Sequence, residues 1–212
     1  GSAVLIDAEG LALTIGYLIS EAESVTLTTV DGKSVQAHPV AYDYESGFGL
    51  VRAIQPLGVK PMPLGSSSEV EERDTVIAGS AGGRPYAISV RVVSKREFAG
   101  YWEYLLDEAI FTSPPHPAWS GAALIGPSGK LLGIGSLHLQ HQTSSGRVMP
   151  LNMMAPIELL PPILDALASG GRDLPGRPWL GVISQETEGR VVIVGTSNDP
   201  PGKSQLYLSA TL

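Results

Sequence analysis

Pro114-Pro115-His116-Pro117-Ala118-Trp119-Ser120-Gly121-Ala122-Ala123-Leu124 is the stretch on which the fold of this chain is decided. Ser120 and Gly121 are flanked by small residues, a composition suited to a tight turn. Pro114, Pro115 and Pro117 stiffen the approach and add no N–H donors. Working outward, residues 109–112 are a short apolar run leading in. Residues 122–125, the turn Pro127-Ser128-Gly129-Lys130 and residues 131–134 read as a hairpin leading out. The serine loop is therefore expected between β-strands.

The rest of the chain has the same texture. Its 212 residues include 25 Gly and 17 Pro, which punctuate short apolar runs and predict a turn-rich, mostly β protein. Acidic Asp7-Ala8-Glu9-Gly10 separates two apolar runs, residues 3–6 and 11–19. Residues 25–30 alternate as a half-buried strand, and Asp31-Gly32 is a strong hairpin signal before the return strand at 35–41. Residues 48–54 complete five or six strands, enough for a small antiparallel barrel. A proline- and serine-rich linker at 56–68 leads to a second set: 75–78, 89–93, the aromatic and acidic 98–107, the strands around Ser120, and 148–151. Residues 153–168 have near-helical apolar spacing, with Asn152 as a cap, Gly170-Gly171 as the end, and Pro161-Pro162 as an interruption.

Composition excludes several functions. The net charge is −7 with no dense basic cluster, which argues against nucleic acid and anionic membrane surfaces as partners. With no cysteine there is no disulfide scaffold, cysteine–zinc site or thiol nucleophile. No apolar run approaches the roughly 18 residues of a membrane helix. No cofactor motif is found.

The residues around Ser120, A-W-S-G-A-A-L, resemble the G-N-S-G-G-P-L loop of trypsin-like serine proteases, above all the HtrA/DegP type. Gly1 to Thr14, G-S-A-V-L-I-D-A-E-G-L-A-L-T, resembles the opening G-S-G-V-I-I-D-x-x-G-x-I-L-T of that family. Val25-Thr26-Leu27, Asp31-Gly32-Lys33, Tyr42-Asp43-Tyr44-Glu45-Ser46 and Leu50-Val51-Arg52 keep its order and spacing. The resemblance implies an all-β, chymotrypsin-like fold of two antiparallel six-stranded barrels, with a C-terminal helix and the start of a PDZ domain. The expected divisions are an N-terminal barrel at 1–57, a second barrel carrying the serine loop at 58–151, a helix and linker at 152–171, and a partial PDZ-like segment at 176–212. It also implies that Gly1-Ser2 is native sequence lying inside the domain. Arg177-Pro178-Trp179-Leu180-Gly181-Val182 resembles a PDZ opening, so Trp179, Leu180, Gly181 and Val182 are the expected peptide-binding residues.

In the family, histidine and aspartate activate the serine. Along this chain the histidine position of L-T-N-A-H-V-V holds Tyr17, and the aspartate position of S-D-L-A-L holds Gly47. Ser120 alone keeps its identity. A phenol, which titrates near pH 10, is not a competent base at neutral pH. Losing the base removes roughly 10⁶-fold in turnover. The oxyanion hole implied by the resemblance is formed by the N–H groups of Ala118, in place of glycine, and Ser120.

His38, His116, His138 and His141 are the other candidates for a base. A loop or packing role is expected for His116, and no metal site is expected at His138-x-x-His141, which lacks acidic partners nearby. Asp43 is expected to serve a turn. Tyr101-Trp102 is a peptide-contacting patch or a barrel cap, and Trp119 a cleft-filling or surface residue. The favoured function is a catalytically impaired or inactive HtrA-like serine protease homologue, a scaffold binding peptides or unfolded protein segments. It would act as a homo-oligomer or in a complex with other envelope proteins, in the periplasm or cell envelope by resemblance. The alternative is an active serine endopeptidase using Ser120 with a non-standard base.

Overall fold

The structure, a computed structural model of the chain, describes residues 1–100, 105–142, 146–172, 174, 181–187 and 190–196. The contacts divide the chain into two units, Gly1–Leu174 and Pro175–Leu212.

In the first unit, five strands make an antiparallel sheet: β1 (Val4–Leu5), β2 (Leu11–Ile15), β3 (Val25–Thr28), β4 (Ser34–Tyr42) and β5 (Phe48–Ala53), in the order β1-β2-β5-β4-β3. The β1–β2 turn forms because the Asp7 carboxylate accepts the Leu11 N–H at 2.7 Å. β3 and β4 pair across the Asp31-Gly32 turn, with Thr28 opposite Ser34. Six strands in a closed barrel were expected here; the sheet has five and stays open. β1 pairs with β2 and β3 with β4, and no described strand joins these two edges; residues 18–24, with Ser20, Glu21, Glu23 and Ser24, turn and do not extend. Along the seam between β1 and β3 lies a cleft of about 860 Å³ lined by Val4, Ile19, Leu27, Leu57 and Met62, among others.

The second set closes on itself. Strands β6 (Thr75–Gly79), β7 (Ile88–Ala99), β8 (Leu105–Ser113), β9 (Ala123–Ile125), β10 (Leu131–Gln142) and β11 (Val148–Pro156) form a ring in the order β10-β11-β8-β7-β6-β9. Its interior packs Val76, Val90, Val92, Ile110, Leu124, Leu132 and Met154. A larger core joins the two sheets: Leu13, Ile15, Phe48 and Leu50 from the first meet Phe111, Leu131, Ile134 and Met153 from the second. β2 is therefore buried along its whole length, which explains why it reads as a continuous apolar run rather than an alternating one.

The stretch expected to be helical from residue 153 behaves differently. β11 runs to Pro156, and a single 3₁₀ turn (Ile157–Leu159) precedes the short helix α1 (Leu164–Ala168). Residues 152–154 are paired on both sides, to β8 and to β10, so ladder bonds outweigh helical spacing there. Pro161 and Pro162 then leave room for five helical residues only. Asn152 does not cap a helix; it lies within β11, fully buried. Gly170 does close α1, donating its N–H to Leu167 with φ at 100°.

The second unit holds the hairpin of β12 (Val182–Thr187) and β13 (Arg190–Thr196). Trp179 and Leu180 of the expected peptide loop lie outside the described residues, as do Tyr101 and Trp102. Gly181 has a positive φ of 63°, and Val182 begins β12.

Candidate functional site

The site is built from the end of β2, the turn after β8, and an irregularity in β10. At the end of β2, one 3₁₀ turn, Gly16–Leu18, swings Tyr17 out of the sheet. That turn is anchored by the Gly16 N–H, which donates to the Gly47 carbonyl at 2.7 Å. Gly47 itself closes the β4–β5 hairpin with φ at 75°, a conformation that suits glycine. Asp43 organises the same hairpin: its Oδ2 accepts from the Ser46 N–H at 2.8 Å and from the Ser46 hydroxyl at 2.7 Å. So the positions expected to matter, Tyr17 and Gly47, are brought to neighbouring turns, and Asp43 serves a turn.

Ser120 sits in a four-residue turn closed by the Ala122 N–H donating to the Trp119 carbonyl at 2.9 Å. The turn needs Gly121 twice over. Its φ is 76°, and a Cβ there would lie 1.9 Å from the Ser2 carbonyl oxygen. The close approach is real pairing: the Ser2 N–H donates to the Ser120 carbonyl at 2.8 Å, and the Thr14 hydroxyl donates to the Ser2 carbonyl at 2.6 Å. Ser80 holds the other side, donating from Oγ to the Ala118 carbonyl at 2.8 Å.

Between these turns stands Tyr17. Its hydroxyl donates to the Ser136 carbonyl at 2.8 Å and is also hydrogen-bonded to Ser120 Oγ. A phenol carries one proton. With that proton on the Ser136 carbonyl, the Ser120 hydroxyl is the donor to Tyr17. Burial pushes the Tyr17 phenol above its ordinary value, against the opposing pull of hydrogen bonds with Ser120 and Trp119. The residue as a whole is nonetheless 42% exposed. Ser136 reaches this point because β10 is irregular between Gly135 and Leu137.

The N–H of Ala118 faces the other way: it donates to His116 Nδ1 at 3.0 Å. His116 is buried, and its Nε2 lies 2.9 Å from the Tyr86 carbonyl. Both ring nitrogens are thus engaged with backbone groups, leaving neither for Ser120. The His116 N–H in turn donates to Asn152 Oδ1 at 2.6 Å. His138 and His141 both lie on β10, three residues apart, so they project from opposite faces. His138 packs against Trp119, ring centroids 5.3 Å apart. Among the described residues there is no group of three or more side chains arranged to hold a metal.

Sequence reasoning did not find Ser2, Ser80 or Ser136 as parts of this site. Ser2 and Ser80 lie far from Ser120 along the chain and have no local pattern; Ser136 contributes a carbonyl, for which side-chain identity carries no signal.

Residues 1–134 match the family model described as "Trypsin-like peptidase domain". The chain belongs to the trypsin-like peptidase family. Several curated relatives carry names of serine proteases or endoproteases. The "Probable periplasmic serine endoprotease DegP-like" of Ectopseudomonas mendocina (strain ymp) is 27% identical over 191 residues, covering 88% of this chain and 38% of the relative. "Serine endoprotease DegS" of Haemophilus influenzae is 26% identical over 222 residues, covering 98% of this chain and 62% of that protein. Among solved structures, "HtrA-type protease AlgW with decapeptide" superposes with a TM-score of 0.70 at 23% identity, covering 95% of this chain and 64% of that one. That likeness gives the trypsin-like chain its chymotrypsin-type fold. The chain spans less than two thirds of the length of these relatives. No helix among the described residues is long and apolar enough to cross a membrane.

Proposed function

We propose that this chain is a catalytically silent homologue of HtrA-type serine proteases, serving as a peptide- or protein-segment-binding scaffold. The observation that carries the reading is the hydrogen bond from Ser120 to the Tyr17 phenol, whose own proton is held by the Ser136 carbonyl. A serine becomes a nucleophile when its proton moves to a base as the bond to carbon forms. A neutral phenol cannot take that proton, and raising its pKa makes the phenolate scarcer still. Gly47, at the family's aspartate position, has no side chain with which to orient a base. The Ala118 N–H, one of the family's two oxyanion donors, is engaged with His116. Nucleophile activation is thus absent and one of the two oxyanion donors is diverted, and these two effects together supply most of the rate enhancement of such enzymes.

Binding is the function left to the fold. The superposable AlgW was solved with peptides, which supports peptide recognition here. Trp179, Leu180, Gly181 and Val182 are the proposed peptide-carboxylate loop of a PDZ-like segment at 176–212. Residues 1–57, 58–151 and 152–171 are proposed as the family's first barrel, second barrel, and helix with linker. Periplasmic or envelope location, and assembly with further copies or other envelope proteins, are part of the same proposal, supported by the DegP-like relatives.

The competing reading, an active endopeptidase using Ser120 with a non-standard base, is favoured by the retained Ser120 and by relatives named as endoproteases. Casein digestion separates the two. The wild-type chain is expected to match Ser120→Ala, with no cleavage. Cleavage that vanishes in Ser120→Ala would establish the active reading.

A further inference from the structure

His116 is a buried imidazole that the chemistry at Ser120 does not use, and its hydrogen bonds specify its state. The Ala118 N–H is a donor, so Nδ1 must present a lone pair. The Tyr86 carbonyl is an acceptor, so Nε2 must carry the proton. Only the neutral imidazole with its proton on Nε2 meets both demands. The ring bridges two loops: the one between β6 and β7, through Tyr86, and the one carrying Ser120, through Ala118. Its backbone is fixed separately by Asn152, whose Oδ1 accepts the His116 N–H and whose Nδ2 donates to the Leu137 carbonyl. The ring is held in place while its Nδ1 lone pair decides which way one peptide N–H points.

We infer that His116 is a positioning residue for the serine loop, withholding the Ala118 N–H from any anion at Ser120 through its Nδ1 lone pair. This is a second lock, independent of the phenol at Tyr17. Ser80 fixes the following peptide unit of the loop by donating to the Ala118 carbonyl. Reorienting the Ala118 N–H turns the Pro117–Ala118 peptide and breaks its hydrogen bond to His116 Nδ1. The inference rests on the family-derived role of Ala118 as an oxyanion donor. Its test reads the Ala118 amide and not catalysis, so it can fail while the silent-protease reading stands, and the reverse.

The test uses the whole chain, labelled with ¹⁵N. Long-range ¹H–¹⁵N correlation spectra should report the Nε2–H tautomer for His116. Two variants then separate the ring's nitrogens. In His116→Asn the side-chain oxygen falls near the Nδ1 position and retains an acceptor. In His116→Gln the amide falls near Nε2 and the Nδ1 acceptor is lost. Hydrogen exchange of the Ala118 amide should rise about tenfold in His116→Gln and stay near wild type in His116→Asn. The Gly121 amide, bonded to the Gly135 carbonyl at 2.8 Å, should not change in either variant and controls for general loosening. An Nδ1–H tautomer in the wild type overturns the inference, even if His116→Gln does not fold. So does Ala118 exchange that is unchanged in His116→Gln, equally raised in His116→Asn, or raised together with Gly121.

Discussion

Tyr17 carries one phenolic proton, and the Ser136 carbonyl accepts it. The proposed silence of Ser120 rests on that geometry, because a hydroxyl donating to a neutral phenol gains no base. Tyr17→Phe removes the phenol oxygen and frees Ser120 without supplying a base; casein cleavage should remain undetectable. Tyr17→His with Gly47→Asp restores the residue types that activate serine in the family, and weak Ser120-dependent cleavage is the expected outcome. The aspartate enters at φ 75°, where a side chain costs about 1 kcal/mol relative to glycine. The double variant should therefore melt below the wild type by calorimetry. Gly121→Ala is harsher: the new Cβ would meet the Ser2 carbonyl oxygen in an already left-handed backbone. A loss of about 3 kcal/mol in chemical denaturation is expected. The identities of Tyr17, Gly47 and Ser120 could be read against the family's motif because each is one residue at one spacing. The direction of the Ala118 N–H could not, since it depends on a histidine ring and a serine distant along the chain.

Among the elements, those whose pattern is local were legible in the sequence. The Asp31-Gly32 hairpin and the strands either side of Ser120 form where turn residues and apolar runs predict them. β11 is the instructive departure. Asn152-Met153-Met154-Ala155 has no alternation, because both faces of the strand are buried, and so it does not announce itself as β. Asn152 then satisfies two backbone groups inside the protein, the His116 N–H and the Leu137 carbonyl. Asn152→Ala should cost about 2 kcal/mol in denaturant titrations by leaving them unpaired. The linker after β5 is also more ordered than its composition suggests. Glu158 accepts from the Ser66 hydroxyl at 2.7 Å and from the Ser67 N–H. Burial would raise the Glu158 carboxyl, but these hydrogen bonds outweigh it and hold the group below its ordinary range. A lowered folded-state pKa stabilises fully above the unfolded value of about 4.3 and is lost as pH falls through the folded value. Glu158→Gln should therefore lower the melting temperature at neutral pH, with a difference from wild type that shrinks below about pH 4.

Across the whole molecule, one core unites the open five-stranded sheet with the closed six-stranded ring, and its buried side chains run from Val4 to Leu167. A chain ending at Leu174 should accordingly unfold in a single cooperative transition, checked by calorimetry. Two sheets were foreseeable from the strand count and the resemblance. The open seam was not, because strand closure depends on partners that local patterning does not encode. The family membership and the proposed function pull in opposite directions: the framework is that of a peptidase, while the proposed function leaves Ser120 without a base. The decisive measurement is labelling of the full chain with a fluorophosphonate probe, compared with Ser120→Ala. The wild type should incorporate no more probe than the variant. Labelling that is lost in Ser120→Ala would show an activated serine and contradict the account.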